Sequence, residues 1–255
     1  MKHITIKSCL ILLAGAIGLG STSCSRYFVP QGQAVYTQIQ IDSQLTADPA
    51  YMQVYAPYKA QLETEMNRVV GHSAVALTKP AGVTETLLGN FFADAMLAEG
   101  KKYAPDAELS FGTKGGVRIE LPKGPITVGD LYELMPFENE LVVLELSAES
   151  VQQLAKFIAA TGGQPVSGLR MRIVDGKPAD LTVAGKPLDT TRTYKLVTYD
   201  YLANGGDHTR GLSQPLNRTN LGQRVREALM TYVSEKEKAG EHINIQLDGR
   251  IVRNK

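Results

Sequence analysis

The residues able to do chemistry in this 255-residue chain gather in four short segments. They are GTKGGVR (112–118), PFEN (136–139), SGLR (167–170) and YLANGGDH (201–208). Each sets a ring, a guanidinium, an amide or a carboxylate beside a glycine or proline turn, which holds the group at a loop tip where a ligand can be gripped. Such a set suits a nucleoside-like molecule, which needs flat faces for its base, acceptors for its sugar hydroxyls and a cation for an anionic end. Phe137 follows a proline that stiffens its loop, and the run Asn204-Gly205-Gly206-Asp207 lets the backbone turn tightly and aim a carboxylate.

Bond-breaking chemistry finds little support in the same sequence. Two-metal hydrolysis needs clustered His, Asp and Asn ligands, but His72, His208 and His242 stand singly along the chain and His3 lies in a leader segment. No metal ligand set and no cofactor is therefore expected. Neither a G-x-S-x-G elbow, a P-loop nor a G-x-G-x-x-G run is present. Glu85, Asp94 and Asp207 are carboxylates without an evident partner carboxylate.

Taken in order, and together with the L-G-N-x-x-A-D-A pattern at 88–95, the four segments resemble the C-terminal substrate-binding domain of the 5'-nucleotidase and UDP-sugar hydrolase family, over about residues 50–253. The resemblance implies an α+β fold and a set of roles. Phe137 and Tyr201 would sandwich the base, Asn139 would contact its edge, Asp207 would hold ribose hydroxyls and Arg118 would fix the substrate. Gly168 of SGLR falls in the same substrate-binding set. Two positions depart from the family pattern: Thr113 stands where Asn is common, and Gly82-Val83-Thr84 stands where an Arg is usual. Both point to a weaker grip on the anionic part of a nucleotide. The metal motifs of the family's metallophosphoesterase half find no match. The expectation is a substrate-binding half of a split nucleotide hydrolase, inactive alone and paired in nucleotide catabolism with a separately encoded metallophosphoesterase. A stand-alone nucleoside-binding lipoprotein, or an envelope protein that kept the fold without the ligand, are the alternatives.

The start of the chain carries a targeting pattern. Lys2 and Lys7 precede an apolar stretch from Leu10 to Leu19, too short to span a bilayer, which reads as an export signal. Ser21-Thr22-Ser23-Cys24 then reads as a lipobox, giving a signal at 1–23, an extension at 24–47 and a domain at 48–255. Cys9 would leave with the signal, and Cys24 would carry a lipid that anchors the protein in the cell envelope, as a periplasmic or outer-membrane lipoprotein. Loss of Lys2 and Lys7 leaves 25 basic against 26 acidic residues. That balance supplies no broad field for a nucleic acid polymer.

The positioning elements follow from periodicity. Alternation predicts a strand over 35–41, and Asp48-Pro49 opens a helix to Val70 with a kink or restart at Pro57. A short strand is expected at 74–77, a helix at 85–102, a strand at 108–111, a helix at 128–134 and a buried strand at 141–146. Ser147 caps a helix that turns Val151, Leu154, Ala155 and Ile158 inward. Strands are expected at 169–174, 180–183 and 193–199, with Asp175-Gly176 and Ala184-Gly185 supplying the reversals, although Asp175 to Ala179 is long for a tight hairpin. A helix at 221–238 and a strand at 243–251 close the chain. Interspersed helices and strands without strict alternation predict a single α+β domain with a mixed sheet and packed helices.

Overall fold

The computed structural model describes residues 36–253 of the chain. Cys24 and the segment 1–23, expected to be an export signal, lie outside them. The chain runs through α1 (Pro49–Met66), β1 (Val69–Ser73), α2 (Leu87–Lys101), β2 (Leu109–Phe111), β3 (Gly124–Thr127), α3 (Val128–Leu134), β4 (Glu140–Ser147) and α4 (Ala148–Ala160). It continues through β5 (Val166–Ser167), β6 (Leu169–Val174), β7 (Lys177–Val183), β8 (Lys186–Pro187), β9 (Thr193–Tyr199), the single turn α5 (Asp200–Ala203), β10 (Asn217–Arg224), α6 (Val225–Lys238) and β11 (Ile251–Arg253).

The fold is the expected α+β arrangement with mixed sheets. One sheet has the order β10-β4-β9-β2-β5, a second β11-β6-β7-β8, and β1 with β3 makes a two-stranded third. In the five-stranded sheet β2 and β9 are parallel while β4 runs antiparallel to β9. Hence Tyr199 at the end of β9 lies opposite Leu141 at the start of β4. One edge of this sheet therefore gathers the loops after β2 and β9 and the loop before β4, which are three of the four chemistry-bearing segments. The core holds this edge rigid: Leu88, Phe91, Phe92 and Met96 of α2 and Val151, Leu154 and Ile158 of α4 are fully buried with the apolar side chains of β4 and β9. Local capping agrees with this packing. Thr86 accepts from Gly89 N at 3.0 Å, Ser147 accepts from Ser150 N at 3.2 Å, and Thr127 with Asp130 closes a reciprocal box on α3.

Several elements differ from their sequence expectation. Residues 36–41 join no strand among the described residues, and Tyr36, Ile39 and Ile41 are exposed, because alternation without a partner ladder forms no sheet. The helix from Pro49 stays one element through Pro57, ends at Met66 and buries no side chain. The following strand is Val69–Ser73 in place of 74–77, whose Leu77 makes only a single bridge to Leu121. Asp175-Gly176 makes the expected reversal, with φ of 48° and 71°, but β7 starts at Lys177 and not at 180, so the hairpin is a tight two-residue one. Residues 217–224 are strand β10 on β4, so the last helix begins at Val225 and not at 221. Finally, 243–251 shrinks to β11 after an isolated bridge from Ile243 to Ser73.

Two of the isolated carboxylates are structural. Glu85 accepts from Asn90 Nδ2 at 2.7 Å and from the backbone N–H groups of Asp248 and Gly249 at 2.9 and 3.0 Å. Asp94 takes Arg250 in two bonds of 2.7 and 3.1 Å. Together they tie the C-terminal segment onto α2.

Candidate functional site

Five of the six expected binding residues meet in one cleft of about 300 Å³: Arg118, Phe137, Asn139, Tyr201 and Asp207. The remaining wall is made by Thr113, Gly115, Gly116 and Tyr199.

Asp207 is the polar centre. The turn that carries it passes through left-handed backbone, with φ of 90° at Gly205, 52° at Asp207 and 54° at His208, a region Asp tolerates better than most residues. Asp207 Oδ2 accepts from Thr113 Oγ1 at 2.6 Å, and Oδ1 accepts from the Tyr201 hydroxyl at 3.1 Å. Thr113 Oγ1 also lies 3.2 Å from the Tyr199 hydroxyl. Burial pushes Tyr199 up to about 12, so it stays a neutral hydroxyl at any physiological pH. A carboxylate offers about four lone-pair directions. The two protein donors therefore fix its plane while leaving acceptor capacity for hydroxyls of a ligand.

Rings and cation sit around this carboxylate. The Tyr201 ring lies on the backbone of Gly206, where an added Cβ would come within 2.4 Å of the ring, so glycine is required there. Tyr201 as a whole remains 47% exposed, and Phe137 38%. Both residues thus keep accessible apolar surface in the same cleft. The Arg118 guanidinium stands 5.9 Å from the Phe137 ring centroid and donates to Gly115 O at 3.2 Å. Arg118 N also donates to Leu134 O at 2.8 Å, which ties the first glycine loop to the end of α3 just before Phe137.

The PFEN loop is held from behind by Arg226, the second residue of α6. Arg226 Nη1 donates to the carbonyls of Met135 and Phe137 at 3.3 and 3.4 Å, and Nη2 donates to Glu138 at 2.7 Å. Its guanidinium lies 4.0 Å from the Tyr132 ring centroid. This bond to Arg226 and the nearby charges of Arg226 and Arg224 hold the Glu138 carboxyl below the usual range against a smaller desolvation. Asn139 O accepts from Val225 N at 2.9 Å, so the same helix start orients the residue that carries the amide.

Two expectations change here. Gly168 does not line the cleft. Its φ is +72° and an added Cβ would lie 1.9 Å from the Glu108 carbonyl, so it is a backbone requirement where β5 passes into β6. Thr113 is not simply a shorter reach than Asn: buried at 3% exposure, it spends its hydroxyl on Asp207 and positions the carboxylate. Arg170 lies outside the cleft and bonds Asp248 at 2.6 and 3.0 Å, while Arg172 pairs with Asp180. Near the 82–84 departure, the Val83 carbonyl accepts from Lys114 Nζ at 2.7 Å.

Sequence reading missed Tyr199, Arg226 and the positioning role of Thr113. Tyr199 had a detectable signal, since it closes a predicted strand two residues before Tyr201. Arg226 had none, because its partners lie 88 to 91 residues away. The donor set does not fit a dinuclear metal centre either: the cleft residues supply one carboxylate, Asp207, and no histidine.

The comparisons with known proteins agree with this geometry. The model of the 5'-nucleotidase C-terminal domain matches residues 69–214. The trifunctional nucleotide phosphoesterase YfkN of Bacillus subtilis is 28% identical over 232 residues, covering 84% of this chain but 16% of that protein. The UshA protein of Yersinia enterocolitica is 28% identical over 229 residues, covering 85% of this chain and 39% of its own. The crystal structure of the 5'-nucleotidase precursor of Thermus thermophilus superposes with a TM-score of 0.69 at 29% identity, over 79% of this chain and 42% of that one. The chain thus spans less than half the length of each of these relatives. With its sheet, its cleft and its family match in agreement, the chain belongs to the 5'-nucleotidase C-terminal domain family.

Proposed function

We propose that this chain is the nucleoside-gripping half of a nucleotide hydrolase, and that a separately encoded metallophosphoesterase supplies the hydrolytic step. The observation that carries the binding role is the convergence of Phe137, Tyr201, Asn139, Arg118 and Asp207 in one cleft. A base stacks between Phe137 and Tyr201, with the Asn139 amide at its edge. The two ribose hydroxyls donate to Asp207, whose plane Thr113 and Tyr201 fix in advance, so little ordering cost remains at binding. Arg118 faces the anionic side.

The hydrolytic assignment rests on the names of the relatives, a nucleotide phosphoesterase and a 5'-nucleotidase among them, and on a cleft whose donors suit binding and not two-metal chemistry. The purified chain with added Mn²⁺ or Co²⁺ is expected to release no phosphate from AMP, and addition of a metallophosphoesterase partner is expected to restore release. Robust turnover by the chain alone that Asp207→Ala abolishes would overturn the division of labour.

The lipid anchor belongs to the same proposal. Cys24→Ser is expected to move the protein from the membrane to the soluble fraction. Unchanged fractionation would remove the anchor from the account.

A further inference from the structure

The fold brings together two histidines that stand 170 positions apart in the sequence. Ile243 N donates to His72 O at 2.8 Å, and Ala74 N donates to Ile243 O at 2.8 Å, so the backbone locks His242 beside His72. Their rings meet edge to face with centroids 5.4 Å apart. Glu237, in the last turn of α6, reaches both: Oε1 lies 2.9 Å from His72 Nδ1, and Oε2 lies 3.4 Å from His242 Nδ1. Gly71 allows this approach. An added Cβ there would stand 2.6 Å from Val233 Cγ1 and would push α6, and Glu237 with it, away from β1.

We propose that His72, Glu237 and His242 form a site for a divalent transition cation of the zinc class, apart from the nucleoside cleft. Two imidazoles and one carboxylate are the donor types such a cation takes, and three protein ligands leave a fourth position for water. The candidate ligand atoms all lie within 4.8 Å of one another. Ligands at about 2.0–2.1 Å from a tetrahedral zinc stand about 3.3 Å apart, and the two carboxylate-to-imidazole distances of 2.9 and 3.4 Å already bracket that spacing. His242 is the most exposed of the three and is free to close the set.

Two further observations favour a cation here. Glu237 Oε2 is buried and, with His242 Nδ1 at 3.4 Å, makes no hydrogen bond among the described residues. The site also sits at the C-terminal end of α6, where the helix dipole favours positive charge. Lys236, in the same last turn, is engaged by Glu241 at 2.6 Å. A bound cation would pin the segment after α6 to β1, coupling metal occupancy to stability.

The test uses the full chain without a histidine tag, stripped with chelator and titrated with Zn²⁺ by calorimetry and with Co²⁺ by absorption. One equivalent is expected to bind, to show tetrahedral cobalt bands and to raise the melting temperature. His72→Ala, Glu237→Gln and His242→Ala should each weaken Zn²⁺ binding at least tenfold and abolish the thermal shift. The exposed His242→Ala variant and a circular dichroism spectrum separate lost ligation from lost folding. No saturable binding by the wild type, or binding that survives all three substitutions, would overturn the site.

Discussion

Asp207→Asn isolates the charge on which ribose recognition depends. The side chain keeps its size, and Asn accepts a φ of 52° as readily as Asp does. Thr113 Oγ1 can reverse its role, accepting from the new amide while donating to the Tyr199 hydroxyl, so the network at 2.6 and 3.2 Å has a neutral equivalent. Folding is therefore expected to survive. A hydrogen bond to an ionised acceptor contributes about 1.5–3 kcal/mol against about 0.5–1.5 kcal/mol for a neutral one. Two ribose hydroxyls should together lose about 2 kcal/mol, which is roughly a thirtyfold fall in affinity for adenosine. Asp207→Ala should lose more, and should also lower stability by about 1–2 kcal/mol because alanine is disfavoured in left-handed backbone. The assay is calorimetric titration at neutral pH with adenosine and with 2′,3′-dideoxyadenosine. Wild type should prefer adenosine, and in the Asn variant that preference should shrink by the same roughly thirtyfold. If the effects of the mutation and of removing the hydroxyls simply add, the two groups do not touch and the assignment of Asp207 is refuted.

Three other perturbations follow from the same geometry. For adenosine Asp207→Ala should cost more than Arg118→Ala, whereas for AMP the order should reverse because Arg118 serves the anionic side; equal effects of both variants on both ligands would remove the distinct roles. Arg226→Met should destabilise the fold by about 1–3 kcal/mol, through loss of its bonds to the Met135 and Phe137 carbonyls, and should loosen Phe137; unchanged denaturation and adenosine binding would contradict this. Tyr199 has its folded value raised by burial from 10 to about 12, so its stability contribution, about 2–3 kcal/mol, is complete below pH 10 and is lost as pH rises to 12. Tyr199→Phe should flatten that part of the stability profile, and an unchanged slope in denaturation series would count against the burial argument.

The parts of the site that sequence reading recovers are those whose signal is local. Phe137 beside Pro136, and Asp207 after two glycines, advertise their loop tips within a few residues. The capped helix α4 is legible for the same reason, because Ser147 marks its start. What fails is what depends on distant partners. The Thr113–Asp207 bond spans 94 residues, so Thr113 reads as a loss of reach when it is a support. Leu221 repeats at helical spacing with Val225 and Leu229, yet 217–224 pairs with β4 as a strand, because edge pairing overrides a short periodic run. The histidines likewise read as isolated until β1 and the segment after α6 are paired.

The central claim is that the cleft holds a nucleoside. Calorimetric titration of the wild-type chain with adenosine and AMP, repeated with Phe137→Ala/Tyr201→Ala, tests it most directly. The account predicts one saturable site in the wild type and its loss in the double variant, with the melting temperature of the unliganded protein nearly unchanged because both rings are partly exposed. Absence of binding in the wild type, or equal binding by the double variant, would contradict it.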